Sequence, residues 1–355
     1  MTTKEKILQK LTESKDDYVS GAELAQFCGV SRAAVWKAIK ILEEQNYTIK
    51  AVTNRGYKIE SFPDIISETG IKDFRRNFDE VFAFKTIDST NIEAKRRLTE
   101  LSPLRNSAGE LTSGGKTLHK SLFVADSQTS GRGRLDRTFV SPCGKGAYFS
   151  FVYCPKKSVV NPALMTSAAA VAVCLSIERL YNLSCSIKWV NDIFAGGKKI
   201  AGILTEGIAN FESGRIDAVV VGIGINVKKT DFGGELFKVA GSIEDSIDKN
   251  LVEKISRNEL IASVVNLIAE FYELFEEGQS DEISKMMDLY RKRSFLIGKT
   301  VTVNPSAGFA FGANSYKAVV ESIDDNAALI VRTLDGNQKI LQSGEVSLKS
   351  SEFVC

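Results

Sequence analysis

Ser20-Gly21-Ala22-Glu23-Leu24-Ala25-Gln26-Phe27-Cys28-Gly29-Val30-Ser31, running directly into Arg32 to Glu44, decides how the N-terminal part of the chain folds. Ser20, with Glu23 three residues on, is a capping-type helix start. Cys28-Gly29-Val30-Ser31 makes a tight turn, and Ser31 is placed to cap the next helix, over Arg32 to Glu44. Upstream, Ile7, Leu8 and Leu11 fall at helical spacing and predict a helix from Thr3 to Leu11. Downstream, Tyr47 to Ile59 is β-rich, with Asn54-Arg55-Gly56 as a hairpin signal between Thr48–Val52 and Tyr57–Ile59. Helix, helix-turn-helix and basic hairpin together predict a winged helix-turn-helix over residues 1–62. Ser31, Arg32, Trp36, Lys37 and Lys40 would lie on its recognition helix and Arg55 and Lys58 on its wing, with cations where DNA phosphates and base edges lie. A winged helix used only for packing or protein contact is the alternative.

Beyond that head, Ser61 to Asp64, with Pro63, reads as a linker. Helical and apolar-strand patterns then alternate to about Glu277, which predicts an α/β domain over 65–290. After Tyr290-Arg291-Lys292-Arg293 come short strands at Thr300–Val303, Tyr316–Ile323, Ala328–Thr333 and Gln338–Leu341, the signature of a small SH3-like β-barrel over 291–355. The expected class is mixed, α+β and multidomain, as a chain of 355 residues exceeds what one core usually organises.

A net charge of +2 neither marks nor excludes a nucleic-acid binder. Six cysteines (Cys28, Cys143, Cys154, Cys174, Cys185 and Cys355) without a C-x-x-C pair argue against a zinc site or a disulfide framework, and fit a reducing, cytoplasmic setting. Met1-Thr2-Thr3-Lys4-Glu5-Lys6 has no apolar signal core. Leu164 to Ile177 is too short for a membrane span and reads as a buried helix, so no membrane association is expected. The single histidine, His119, sits in the Gly/Ser/Lys-rich run Ser113 to Lys120, read as a mobile, solvated loop. Ser-His-Asp and Cys-His catalysis and most zinc hydrolases thereby lose their base or ligands, and no metal site is expected.

The chemistry concentrates in Ser127-Gln128-Thr129-Ser130-Gly131-Arg132-Gly133-Arg134-Leu135-Asp136-Arg137. Glycines let the backbone approach an anion, and three interleaved arginines supply planar donors for carboxylate and phosphate. Alone, the run would read first as a flexible Gly/Arg loop that touches RNA or nothing. Downstream, Lys188-Trp189-Val190-Asn191-Asp192-Ile193 ends a strand in a polar turn, and Lys198-Lys199-Ile200-Ala201-Gly202-Ile203-Leu204-Thr205-Glu206 reads as the return strand of a hairpin. Ala218–Val221 runs into Gly222-Ile223-Gly224-Ile225-Asn226, where side-chain-free positions would let a flat apolar ligand lie on the sheet. Asp88-Ser89-Thr90-Asn91 puts small polar groups at a helix N-terminus, where simple capping is the alternative.

In order and central spacing these four motifs resemble those of biotin protein ligases, and the resemblance extends over the winged-helix head and the small C-terminal domain. It implies a central domain of the biotin/lipoate ligase type, with biotin, ATP and Mg2+ as substrates and ion. Biotinyl-5′-AMP would form first, and biotin would then pass to a lysine of a biotin carboxyl carrier protein, a subunit of acetyl-CoA carboxylase or a related carboxylase. With the helix-turn-helix it also implies a biotin-responsive repressor that binds operator DNA as a homodimer when loaded with the adenylate. Residue by residue, Ser89, Thr90, Asn91 and Gln128 resemble head-group contacts; Gly131, Arg132, Gly133, Arg134 and Arg137 the adenylate loop, with Arg134 retaining the intermediate; and Gly202, Gly222 and Gly224 the slot glycines. Lys199 resembles the lysine at carboxylate and α-phosphate, Asn191 and Asn226 positions near the adenylate, and Asp192 the group that orients or deprotonates the acceptor lysine. Asp136 stands where the family usually has glycine, Val190 where it has proline and Phe139 where it has tryptophan; Ser102 to Lys120 is longer and more polar than the family loop and receives no function. Lipoate attachment, or a regulator that has lost catalysis, are the competing readings; the full Gly-Arg loop and Lys199 with Asp192 oppose them.

Overall fold

A computed structural model describes the chain except residues 15–16, 45–46, 62–63, 157–160, 211–213, 235, 305–314, 343–344 and 348–355. Cys355 and the middle of the expected linker therefore lie outside the described residues. The chain divides into two compact units, Met1–Asp64 and Ile65–Cys355.

In the first unit α1 (Thr3–Glu13), α2 (Gly21–Cys28) and α3 (Arg32–Glu44) precede the antiparallel pair β1 (Thr48–Val52) and β2 (Gly56–Ser61). Both expected caps form: Ser20 Oγ accepts the Glu23 N–H at 3.1 Å and Ser31 Oγ the Ala34 N–H at 3.2 Å. Ile7, Leu11, Leu24, Val35, Ile39, Leu42, Ile49 and Ile59 close a core of the unit's own. Burying that stripe of α3 leaves Arg32, Trp36, Lys37 and Lys40 outward.

The second unit begins with α4 (Glu68–Lys72), β3 (Val81–Ile87), α5 (Thr90–Glu100), α6 (Ser113–Leu118), β4 (Leu122–Gln128) and β5 (Gly146–Tyr153). It continues through α7 (Pro162–Tyr181), β6 (Ser186–Lys188), β7 (Asp192–Ala195), β8 (Lys198–Ala209), β9 (Ile216–Asn226), α8 (Leu236–Val239), α9 (Lys249–Val252), α10 (Arg257–Glu277) and α11 (Ser280–Arg293). Strands β3 to β9 form one sheet in the order β3-β4-β5-β9-β8-β7-β6. The alternating pattern expected from the sequence holds only at the start. β3 and β4 are parallel, joined through α5 and α6, whereas every other pairing in the sheet is antiparallel. The expected single hairpin is also a meander, because Asp192 opens a strand of its own and Gly196-Gly197, both with positive φ (56° and 74°), turn the chain into β8.

Helices α7, α10 and α11 pack with one face of the sheet, where Phe149, Phe151, Ile203 and Ile223 belong to the principal core. The 20-residue α7 passes for a membrane span by length and composition, longer than the apolar stretch read from sequence, yet Met165 to Cys174 are all buried inside the protein. On the opposite face Ala94, Leu98, Phe123, Val152 and Val220 form a second core with Leu104 and Leu118.

Those last two leucines correct the expectation that Ser113 to Lys120 is a mobile loop. Leu104, Leu111 and Leu118 recur every seventh residue and dock the segment on the sheet, α6 is capped by Thr112 Oγ1 on the Gly115 N–H, and Arg105 Nε lies 3.6 Å from Asp217. His119 is not a solvated loop residue: its Nδ1 accepts the Cys154 N–H at 3.2 Å and its ring lies 4.9 Å from that of Tyr153. Burial, reinforced by Lys120, holds its pKa below the ordinary imidazole value, and the ring is neutral.

At the start of α10 the buried Arg257 donates from Nη1 to Asp126 Oδ1 at 2.7 Å and to the Gly146 carbonyl at 3.2 Å. Burial raises the Asp126 pKa, but the Cys143 thiol and the Arg257 guanidinium outweigh it and hold the carboxyl below its usual range. A carboxyl depressed in the native state contributes stability that is present above its unfolded pKa and lost as pH falls through the folded one. Arg257→Ala is expected to cost about 3 kcal/mol at neutral pH, since it strands a carboxylate. Urea melts at pH 7 and below pH 4 test this, and the difference between variant and wild type should shrink at the lower pH.

Strands β10 (Thr300–Asn304), β11 (Tyr316–Ile323), β12 (Leu329–Thr333), β13 (Gln338–Leu341) and β14 (Glu345–Ser347) form an antiparallel sheet in the order β13-β12-β11-β10-β14. Val301, Val303, Val320, Leu329 and Val331 join the principal core, and Trp189 Nε1 donates to the Ala327 carbonyl at 2.8 Å.

Candidate active site and nucleic-acid face

Strand ends and one loop build a cleft of about 840 Å³ in the second unit. Its floor is the middle of β8 and β9, with Gly202, Gly222 and Gly224. The end of β3 and start of α5 supply Ser89, Thr90 and Asn91, and the end of β4 supplies Gln128. The loop after β4 brings Arg132, Gly133, Arg134 and Arg137, while Asn191, Asp192 and Lys199 line the rim with Lys188 and Trp189. Of the residues singled out in the sequence for this chemistry, Gly131 and Asn226 do not line the cleft. Gly131 O accepts the Phe139 N–H at 2.8 Å, closing the loop's base, and Asn226 Nδ2 donates to the Gly241 carbonyl at 2.9 Å.

The loop is ordered by its own backbone. Arg132 bridges Thr138, the Gly133 N–H donates to the Arg137 carbonyl at 2.7 Å, and Leu135 and Asp136 take left-handed φ values of 55° and 54°. Aspartate tolerates that region better than most residues, so Asp136 in place of glycine leaves the turn intact. Arg134 Nη1 donates to Asn191 Oδ1 at 3.1 Å, tying the loop to the meander.

Lys199 Nζ lies 2.7 Å from Asp192 Oδ1 with both side chains partly open to the cleft, so cation and carboxylate neutralise each other. At the deep end the polar groups are locked together. Gln128 Oε1 accepts the Thr90 N–H at 2.9 Å and Gln128 Nε2 donates to Ser141 Oγ at 2.9 Å. Asn91 Nδ2 donates to Glu206 Oε2 at 2.8 Å, and Ser150 Oγ lies 2.5 Å from Asn91 Oδ1. Ser89 precedes α5 without a side-chain capping bond, so capping does not account for it. The glycine slot is partly filled by the protein itself: a Cβ on Gly222 would fall 2.0 Å from Asn91 Oδ1, and one on Gly224 would fall 2.5 Å from the Phe139 ring.

Glu206, Ser150 and Ser141 were not singled out from the sequence. Glu206 closes the very run that was read, and its position an even number of residues from Gly202 and Leu204 on one strand was the available signal. Ser150 carried none, lying inside an otherwise apolar strand.

In the first unit Ser31 caps α3, Trp36 is 53% exposed, and Lys40 lies 6.0 Å over its ring and 2.5 Å from Glu43. On the wing Arg55 stacks 4.5 Å over Tyr18 and Lys58 is half-buried, so α3 and the wing both present cations from the unit whose core they share.

The biotin/lipoate A/B protein ligase family model matches residues 106–226, which hold the Gly-Arg loop and both later motifs, and a helix-turn-helix domain model matches residues 3–58. The bifunctional ligase/repressor BirA of Bacillus subtilis (strain 168) is 30% identical over 343 residues, covering 96% of this chain and 97% of its own. The protein of the same name from Escherichia coli (strain K12) is 27% identical over 344 residues, covering 95% and 94%. Among solved structures, biotin protein ligase from Aquifex aeolicus in complex with biotin and ATP matches with a TM-score of 0.58 at 25% identity, over 77% of this chain and 99% of that one. With helix-turn-helix head, Gly-Arg loop and lysine-bearing meander in one polypeptide, the chain belongs to the bifunctional biotin ligase/repressor family.

Proposed function

We propose that the chain uses ATP to convert biotin to biotinyl-5′-AMP and transfers the biotinyl group to a lysine of a biotin carboxyl carrier protein, and that it represses transcription in response to biotin through its helix-turn-helix head. The observation that carries the ligase reading is the pairing of Lys199 with Asp192 at 2.7 Å on the rim of a glycine-floored cleft that three loop arginines also line. Biotin lies over Gly202, Gly222 and Gly224 with its ureido end toward Ser89, Thr90, Asn91 and Gln128. Its carboxylate reaches Lys199, which exchanges one carboxylate partner for another. An oxygen of that carboxylate attacks the α-phosphorus of ATP, which enters with Mg2+, and pyrophosphate leaves. Lys199 neutralises the charge that gathers between carboxylate and phosphate. Arg132, Arg134 and Arg137, with Asn191, hold the adenylate. Asp192, released from Lys199, takes a proton from the carrier lysine as its amine attacks the acyl carbon and AMP departs.

The second unit divides into a catalytic domain (65–290) and an SH3-like barrel (291–355). The setting is cytoplasmic. A homodimer forms when the cleft holds the adenylate and the Gly-Arg loop helps form its two-fold interface, which links ligand occupancy to DNA affinity. A single winged helix neutralises few phosphates and binds weakly at physiological salt, so a dimer on an inverted repeat supplies the affinity. Lys37→Ala and Arg55→Ala are expected to weaken operator binding and each to lower its salt slope by about 1, with carrier biotinylation at the wild-type rate. Mobility shifts across a salt series, with and without biotin and ATP, measure both effects; equal affinity in the two conditions would remove the switch.

A further inference from the structure

The turn between β11 and β12, Asp324-Asp325-Asn326-Ala327-Ala328, does not line the cleft, yet two of its backbone carbonyls reach elements that build it. Asp324 holds the turn from inside. Its Oδ1 accepts the Asn326 N–H at 3.0 Å and the Ala328 N–H at 2.8 Å, and its own carbonyl accepts the Ala327 N–H at 3.0 Å. In a trans peptide N–H and C=O point opposite ways, so gathering in the Ala327 and Ala328 N–H groups directs the Asn326 and Ala327 carbonyls outward. Each meets one donor. Asn326 O accepts from Asn161 Nδ2 at 2.7 Å, the side chain whose Oδ1 caps α7. Ala327 O accepts from Trp189 Nε1 at 2.8 Å in a buried contact.

Trp189 lines the cleft and opens the three-residue link between β6 and β7. Val190, next in the link, is held through its carbonyl by the hydroxyl of the buried Tyr290 of α11 at 3.2 Å. Asn191 follows, with Arg134 at 3.1 Å from its Oδ1, and then Asp192, 2.7 Å from Lys199. The Ala327–Ala328 peptide is therefore gripped at both ends, donating to a carboxylate oxygen and accepting from the indole. Donation to a charged acceptor also strengthens its carbonyl as an acceptor. Without Asp324 Oδ1 that peptide is free to tip, and the indole either loses its partner or shifts to keep it.

Resting on the ligase reading above, we infer that the β11–β12 turn belongs to the ligase machinery, with Asp324 a positioning residue that acts through the Ala327 carbonyl to fix Trp189 as the cleft wall beside Asn191 and Asp192.

Asp324→Ala is expected to lower kcat/KM for adenylate synthesis, followed by pyrophosphate release, about tenfold, the cost of one loosened buried hydrogen bond. The assay temperature is one at which thermal melts show variant and wild type folded. Asp324→Asn keeps the accepting oxygen and should stay within about twofold of wild type. Asp324→Ser, whose hydroxyl holds such turns more weakly, should fall between the two, and it replaces the alanine variant if that one does not fold. The Trp189 indole N–H resonance, assigned by its absence from Trp189→Phe, should shift in Asp324→Ala and return in Asp324→Asn, which a loss of stability alone does not produce. Because Trp189→Phe already lacks the donor, adding Asp324→Ala to it should cost less than about twofold more, the non-additivity of residues that act through one contact. Wild-type kinetics in the folded alanine or serine variant, an unmoved indole resonance, or a full tenfold loss added in the Trp189→Phe background overturns the inference. A wild-type protein that releases no pyrophosphate with biotin and ATP would instead overturn the proposed function.

Discussion

Lys199→Ala is expected to lower biotinyl-adenylate synthesis about 10³-fold, the upper end of what one preorganised charge contributes to a transition state. Two effects add. The variant loses the cation that meets carboxylate and α-phosphate, and it leaves Asp192, paired with it at 2.7 Å, as an uncompensated negative charge facing two anionic substrates. The fold should survive, because both partners are partly exposed and such pairs contribute little to stability. Pyrophosphate release measured beside a thermal melt checks both halves. Activity within tenfold of wild type would remove Lys199 from the site.

Arg134→Gly is expected to release biotinyl-adenylate about 100-fold faster and to label lysines of bystander proteins, since the lost side chain makes charge-assisted bonds. Its bond to Asn191 at 3.1 Å is one of the ties between loop and meander, so removing it also opens the cleft to solvent. Bystander biotinylation, read by blotting with labelled streptavidin, should appear while adenylate synthesis persists. Loss of all activity without bystander labelling would mean that Arg134 serves the chemical step and not retention.

Much of the architecture was legible because its signals are local. Ser20 and Ser31 cap the helices they were expected to cap, and the wing strands fall where Asn54 and Gly56 break the pattern. The strand partners were not legible: nothing near Asp192 says that it opens β7, since register comes from the Gly196-Gly197 turn and from pairing with Gly202. Polar composition hid the docking of Ser102 to Lys120, although the seven-residue leucine spacing was there to be read. In the site, most of the residues singled out meet in one cleft because they cluster in motifs at strand ends. Glu206 and Ser150 escaped because their part depends on what lies across the sheet from them. The glycines of β9 were read as room for a ligand, and the structure shows that Asn91 and Phe139 share that room.

A cleft that makes and holds an acyl-adenylate must carry the nucleotide with the protein. The most direct measurement incubates the purified protein with biotin, Mg2+ and ATP labelled in its α-phosphate, then separates protein from free nucleotide by rapid gel filtration. Label should travel with the protein only when biotin is present, and should leave as AMP when a biotin carboxyl carrier domain is added, with one carrier lysine becoming biotinylated. Label that never travels with the protein, or that travels equally well with lipoate in place of biotin, would contradict it.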